Sequence, residues 1–217
     1  MTLEDRIAAF EKLGNYLSAI EEVEINDLIE KARNENPWFT ADSVKAALEG
    51  IKLYLNPGDL AQWTSRYKLT PDRLKVVAVV MAGNVPLVGF HDFLSVLISG
   101  YALQVKLSSK DSVLLLHLAS QLIKIESRFK PMIQFADQLK NFDAVIATGS
   151  DNSARYFHYY FGKYPHIIRK NRTSCAVLTG KETDGDIRAL GQDVFRYFGL
   201  GCRNVSKIYL PKTFDPV

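Results

Sequence analysis

The sequence predicts an α/β fold, a doubly wound and mostly parallel sheet preceded by an all-helical amino-terminal region. Three observations carry the prediction. From Thr2 to about Tyr67 apolar residues recur at helical spacing. Between Leu74 and Tyr160 the order strand, polar turn, helix repeats three times. Each of these strands ends in a small polar turn, and in doubly wound sheets ligands bind at the carboxyl ends of the strands.

Composition sets the limits within which this fold is read. With 217 residues, 47% of them hydrophobic, the chain has room for a core in one domain or two small ones. The 27 basic residues against 24 acidic leave a net charge of only +3, and the lysines and arginines form no long run, which argues against a nucleic-acid or membrane-surface partner. The start, Met1-Thr2-Leu3-Glu4-Asp5-Arg6, lacks the basic opening and apolar centre of a secretory signal, and no apolar run reaches spanning length. These features imply a soluble, cytoplasmic protein without a membrane span. Cys175 and Cys202 allow one bridge at most, and a core of this size does not need it, so reduced thiols are expected.

In the amino-terminal region Leu3, Ile7, Phe10, Leu13, Leu17 and Ile20 mark one helix face, and Thr2 with Asp5 forms a capping box. Asn36-Pro37-Trp38 divides the region into halves. Thr40 caps a helix over Val44, Leu48, Ile51 and Leu55, which Pro57-Gly58 breaks. The acidic run Glu21, Glu22 and Glu24 reads as a solvated helix face, and nothing here suggests chemistry.

At Pro71 the pattern changes. Leu74 to Met81 is a continuous apolar run ending in Gly83-Asn84, as a strand buried on both faces of a parallel sheet reads. Val85-Pro86 is expected to open a helix through Phe93 and Leu97 to Gly100, with Pro86 in its first turn. A second strand, Tyr101 to Leu107, leads through Ser108-Ser109-Lys110-Asp111 to a helix over Leu114 to Ile125. A third, Asp143 to Ala147, ends in Thr148-Gly149-Ser150 and enters a helix through Ala154, Phe157 and Tyr160. Gly83-Asn84, Lys106 to Ser108 and Gly149-Ser150 therefore belong at one edge of the sheet and suggest a nucleotide crevice. The aromatic cluster Tyr156, Phe157, Tyr159, Tyr160 and Phe161 fits core and rim better than base stacking.

Beyond these repeats, Ser174 to Leu178 reads as a buried strand that shields Cys175. A helix from Ile187 to Phe198 leads into Gly199-Leu200-Gly201-Cys202-Arg203-Asn204 and the apolar strand from Val205 to Leu210. Two glycines around Cys202 leave its backbone open to close approach, which suits a thiolate nucleophile, while the same cysteine at a helix-to-strand junction also suits a small buried hydrophobe. Spacing alone leaves both readings open. Gly199-Leu200-Gly201 is not a dinucleotide fingerprint, because it follows a helix and Asn204 replaces the third glycine. The chain has neither a phosphate loop nor a serine-hydrolase elbow, and His91, His117, His158 and His166 show no ligand spacing, so no metal is implied.

Together, these residues resemble the aldehyde dehydrogenase superfamily, and within it the acyl-CoA reductases of the bacterial bioluminescence fatty-acid reductase type. Val80 to Leu87 is similar to that branch's Gly-Asn-x-Pro signature, Val105 to Ser109 to its Lys-Leu-Ser-Ser turn, and Gly201 to Ser206 to its Cys-Arg-Asn-x-Ser nucleophile segment. The likeness runs from about residue 70 to the end, with the three motifs in the same order, and it tips Cys202 toward the nucleophile.

The resemblance implies reduction of a long-chain fatty acyl-CoA or acyl-carrier thioester to the aldehyde, with NADPH, or NADH, as the reductant. Cys202 attacks the thioester, and the Asn84 amide with the Cys202 backbone N–H holds the oxyanion. Lys106 meets the adenosine ribose beside Ser108 and Ser109, and Gly149-Ser150 meets the pyrophosphate at a helix start. Plainer roles stand beside these, Asn84 as a helix cap before Pro86 and Lys106 as a surface lysine. Ser109 stands where NAD-preferring relatives carry a glutamate, which implies that NADPH is accepted at least as well as NADH. A homo-oligomer follows by analogy alone.

Two departures qualify the likeness. Where hydrolytic aldehyde dehydrogenases carry Glu-Leu-Gly-Gly, the equivalent stretch reads Arg169-Lys170-Asn171-Arg172, and a reductase has no use for a base that would activate water. The chain also stops at Asp215-Pro216-Val217, soon after the nucleophile strand, so a truncated product with slow or no turnover is expected. The expected organisation is a helical region over 1–70, a dinucleotide-binding domain over 71–168 and an incomplete catalytic domain over 169–217. A nucleotide-binding remnant without turnover is the alternative function.

Overall fold

The computed structural model describes residues 1–69 and 74–212. The change of pattern at Pro71 and the terminal Asp215-Pro216-Val217 lie outside the described residues. The chain divides into two compact units, Met1–Lys170 and Asn171–Val217.

Four helices open the first unit. In α1 (Leu3–Ala19) the capping box forms as expected, with the Thr2 hydroxyl accepting the Asp5 N–H at 3.1 Å and the Asp5 carboxylate accepting the Thr2 N–H at 2.9 Å. Next come α2 (Glu22–Glu35), α3 (Ala41–Tyr54), capped by Thr40, and α4 (Pro57–Thr64). Pro57 ends α3 and also starts α4, because Asn56 caps it at 3.1 Å and proline suits the first helical position. Phe10, Leu13, Leu17, Val44, Leu48 and Ile51 point their apolar sides into one core. Arg6 is buried among them, and its guanidinium donates to the carbonyls of Ile98, Met1 and Leu69 at 2.8, 2.9 and 2.8 Å.

The sheet has five strands, β1 (Val76–Val80), β2 (Ala102–Lys106), β3 (Ile133–Phe135), β4 (Ala144–Thr148) and β5 (His166–Arg169), in the order β3-β2-β1-β4-β5 and parallel throughout. Helices α5 (Phe90–Ile98) and α6 (Val113–Ile125) pack with the amino-terminal helices on the face carrying Val79, Leu103 and Val105. Helix α7 (Asp151–Phe161) covers Ala78, Val145 and Ala147 on the other face through Phe157 and Phe161. Tyr156, Tyr159 and Tyr160 form its exposed rim.

Two strands and one helix start differ from the sequence reading. Three-residue β3 and the half-exposed edge strand β5 lack the continuous apolar run that marked β1. The helix expected to open at Val85-Pro86 begins only at Phe90, with Gly89 as its N-cap. Pro86 therefore lies in a loop, where Leu87 takes the left-handed conformation at φ 58 and breaks the helical path.

In the second unit β6 (Ser174–Val177) and β7 (Val205–Tyr209) pair in parallel and are joined through α8 (Asp184–Phe195). Helix α8 has its own capping box between Thr183 and Asp186. It ends three residues before the expected Phe198, at a short turn over Arg196–Gly199 in which Tyr197, Phe198 and Gly199 have φ of 53, 56 and 71. Cys175 is exposed rather than shielded, because in the β6-β7 pair Cys175 and Val177 fall on the outward face and Val177 is 71% exposed.

Candidate active site

Parallel register brings the carboxyl ends of the strands level, with Val80 opposite both Lys106 and Ala147. The turns after β1, β2 and β4 therefore share one edge of the sheet. The chain reverses its direction of strand addition between β1 and β4, and such a switch point opens a crevice beyond the strand ends. Asn84, Lys106, Ser108, Ser109, Gly149 and Ser150 all belong to this edge.

Asn84 sits in the loop from β1 to α5. Helix α5 starts at Phe90 with Gly89 as its N-cap, so Asn84 does not cap α5. The loop packs tightly at Gly83, where an added Cβ would stand 2.5 Å from the Ser108 hydroxyl oxygen and 3.2 Å from Asp111 Cβ. Asn36 donates its amide to the Gly83 carbonyl at 3.3 Å, and the Leu87 N–H donates to Asp111 Oδ2 at 2.8 Å. Glu35, beside Asn36, accepts the N–H groups of Ser112 and Val113 at 2.8 and 3.2 Å and the Ser112 hydroxyl, so it caps α6. The helical region, silent from sequence, thus holds two of the three turns. Asp111 is 6% exposed, and burial pushes its carboxyl up to about 7, against the pull of the Leu87 N–H and with added repulsion from Glu35.

At the end of β2, Lys106 is exposed, and its ammonium donates to the Asp137 carbonyl at 2.6 Å. Ser108 accepts the Lys110 N–H at 3.2 Å and bridges to Asp111, while Ser109 is exposed. At the end of β4 the Gly149 N–H donates to the Arg169 carbonyl at 3.2 Å. A Cβ at Gly149 would lie 2.8 Å from Ser153 Cβ and 2.9 Å from Phe157, so this glycine lets the strand end close onto α7. Ser150 caps α7, its hydroxyl accepting the Ser153 N–H at 3.2 Å.

Within the second unit Cys202 is exposed on a turn from Gly201 to Asn204, which closes with the Asn204 N–H on the Gly201 carbonyl at 3.0 Å. Asn204 holds this turn with its side chain. Its Oδ1 accepts the Gly201 N–H at 2.8 Å, and its amide donates to the carbonyls of Asp193 and Arg196 at 2.8 and 2.9 Å. The same amide therefore satisfies carbonyls left over at the end of α8. Gly199 is needed for its left-handed φ of 71, not for open room, because a Cβ there would stand at an ordinary 3.5 Å from the Val194 carbonyl.

Sequence reasoning missed Asn36, Glu35, Asp111 and Asn204. The last two stand inside or beside quoted motifs, in Ser108-Ser109-Lys110-Asp111 and Cys202-Arg203-Asn204, and polar residues in such turns commonly bind the backbone. Asn36 carried no comparable signal. Among the described residues no group of three or more His, Cys, Asp or Glu side chains is placed to hold a metal ion, and no helix is long and apolar enough to cross a membrane.

The family model of acyl-CoA reductase (LuxC) matches residues 44–213, which includes every turn described above. The chain belongs to the acyl-CoA reductase (LuxC) family. Solved aldehyde dehydrogenases share the fold of this LuxC-family chain. Aldehyde dehydrogenase 21 from Physcomitrella patens, in complex with the reaction product succinate, is 18% identical, with a TM-score of 0.74 over 97% of this chain and 49% of its own. The NAD+ complex of the Bacillus cereus enzyme is 16% identical, with a TM-score of 0.70 over 98% of this chain and 48% of its own. Aldehyde dehydrogenase C from Pseudomonas syringae, complexed with NAD+ and octanal, is 13% identical, with a TM-score of 0.69 over 98% of this chain and 47% of its own. The LuxC-family chain thus spans about half the length of these enzymes. Comparison with curated protein sequences gives no match.

Proposed function

We propose that this chain supplies the nucleotide-binding and nucleophile-bearing part of an acyl-CoA reductase, acting on a long-chain fatty acyl thioester of CoA or of a carrier protein. The observation that carries this reading is the gathering of Asn84, Lys106, Ser108, Ser109, Gly149 and Ser150 at one edge of a parallel sheet, at its switch point, in a chain of the LuxC family.

A nicotinamide dinucleotide fits the groups present at this edge. The exposed Lys106 ammonium offers charge, Ser108 and Ser109 offer hydroxyls, and the first turn of α7 after Ser150 offers backbone N–H groups with the positive end of the helix dipole. Asp151 in that first turn opposes an anion, so the charge of Lys106 matters more here than at a neutral helix start. When bound, NADPH or NADH supplies the hydride. Ser109 sets no negative charge against a 2′-phosphate, which favours acceptance of NADPH.

The chemistry of the chain itself begins at Cys202. As thiolate it attacks the thioester carbonyl, and the Asn84 amide donates to the oxyanion that forms. Collapse of that oxyanion expels the CoA or carrier thiolate and leaves the acyl group on Cys202. With Arg169-Lys170-Asn171-Arg172 where a hydrolytic relative has its glutamate, the acyl group meets no carboxylate base from that segment.

The test combines the chain with NADPH and a long-chain acyl-CoA and follows both nucleotide binding and aldehyde. Binding with aldehyde formation supports the full reading. Binding without aldehyde or acyl transfer supports a nucleotide-binding remnant, and absence of binding overturns the assignment of the crevice.

A further inference from the structure

We propose that Asp111 is a positioning residue that sets the Asn84 loop against the turn after β2, so that the oxyanion donor and the coenzyme turn keep a fixed relation. This rests on the role proposed above for Asn84. Three observations converge on Asp111. Its Oδ2 accepts the Leu87 N–H at 2.8 Å, at the residue whose left-handed φ of 58 turns the loop away from α5. Its backbone bridges to Ser108, so the same residue is built into the turn that carries Lys106 to Ser109. Its Cβ and the Ser108 side chain press against Gly83, the residue before Asn84, where no Cβ fits.

Leucine at positive φ is disfavoured, so the Asn84 loop needs an anchor to hold it. One hydrogen bond donated by the Leu87 N–H to a buried carboxyl group is of the right size to do so. A group kept only for packing would be apolar at 6% exposure. Asp111 instead keeps Oδ1 buried without a hydrogen-bond partner among the described residues, a cost that the hold on Leu87 explains. Asn36 on the Gly83 carbonyl secures the loop from the other side, so the segment from Gly83 to Leu87 is gripped at both ends.

The test has two arms. Amide hydrogen exchange in the intact chain reads the loop directly. Asp111→Ala should expose the Leu87 amide to exchange at least tenfold faster, and Asp111→Asn, which keeps an acceptor oxygen, should restore most of the protection. Unchanged exchange at Leu87 in Asp111→Ala would overturn the proposal. The second arm times the transfer of a labelled acyl group from acyl-CoA to Cys202 in Asp111→Ala, Asn84→Ala and the double variant. If Asp111 acts through Asn84, each single variant slows transfer and the double variant is no slower than Asn84→Ala, although its thermal midpoint drops further. Multiplying rate losses would overturn the positioning role. Full-rate transfer in Asn84→Ala would instead refute the oxyanion role, leaving the exchange arm to decide whether Asp111 holds the loop.

Discussion

Arg169 Nη1 lies 2.7 Å from both carboxylate oxygens of Asp92, tying the carboxyl end of β5 to the first turn of α5. Asp92 is buried, and although burial opposes ionisation, hydrogen bonds from His91 and Arg169 and their charges hold its carboxyl below the usual range. The Arg169 carbonyl also receives the Gly149 N–H, so this pair steadies the turn proposed to meet the pyrophosphate.

Removing Arg169 leaves a buried carboxylate without its main partner. Arg169→Ala should lower stability by roughly 2–3 kcal/mol, below the full cost of breaking a buried pair because the arginine is partly solvated. Urea unfolding at neutral pH measures this, and a change no larger than that of the exposed Lys31→Ala control, whose lysine pairs with Asp27 at 2.7 Å, would contradict it. The Asp92 contribution is present above the ordinary carboxylate range and fades as pH falls through its lowered pKa.

Asp111 should act in the opposite sense. With its carboxyl raised from 3.8 to about 7, the folded chain holds a proton there that the unfolded chain has lost, so stability falls as pH rises between about 4 and 7. Glu35 is the charged neighbour that adds to this rise. Asp111→Asn should flatten that part of the profile, read as the difference in urea midpoint between wild type and variant at pH 4.5 and pH 7.5. Parallel profiles would count against the buried, protonated carboxyl.

His117 on α6 meets α1 and α2, its Nε2 at 2.6 Å from the Tyr16 hydroxyl and 3.6 Å from Glu24. Burial holds its imidazole below the usual range, despite attraction from Glu24, and Lys124 and Lys31 add to the lowering. Its contribution is therefore present above about pH 6.5 and is lost as pH falls through the lowered pKa. His117→Gln should remove this loss, and an unchanged difference between pH 7.5 and pH 5 would argue against it.

How much of this was open to sequence reading depended on the range of the interactions. Thr2 with Asp5, Thr40, Ser150 and the apolar run of β1 act within a few residues, and their elements formed where the pattern put them. The loop at Asn84 did not, because its path turns at Leu87, whose left-handed φ and hydrogen bond to Asp111, 24 residues away, leave no mark in local spacing. Cys175 was misjudged for a related reason. Its apolar neighbours describe a strand correctly, but whether anything covers one face of a two-stranded pair is not written in local spacing. The motif residues could be quoted from sequence, while Asn36 and Glu35, which hold their turns from α2, become visible only in the fold.

Coenzyme preference is tested at Ser109. Ser109→Glu should weaken NADPH roughly five- to tenfold, the effect of one like charge near a solvated 2′-phosphate, and leave NADH nearly unchanged. Isothermal titration gives both affinities. NADH bound far more tightly than NADPH by the unaltered chain, or NADPH affinity indifferent to the glutamate, would contradict the proposed site.

Cys202 is the proposed acyl carrier. Both thiols are exposed, so accessibility does not separate them, and only Cys202 sits on a turn fixed at both ends by Asn204. The direct measurement is mass-spectrometric mapping of the label after incubation with a labelled long-chain acyl-CoA in the absence of nicotinamide. Label is expected on Cys202, lost in Cys202→Ser and kept in Cys175→Ala. Label that persists in Cys202→Ser, or that follows Cys175, would contradict it.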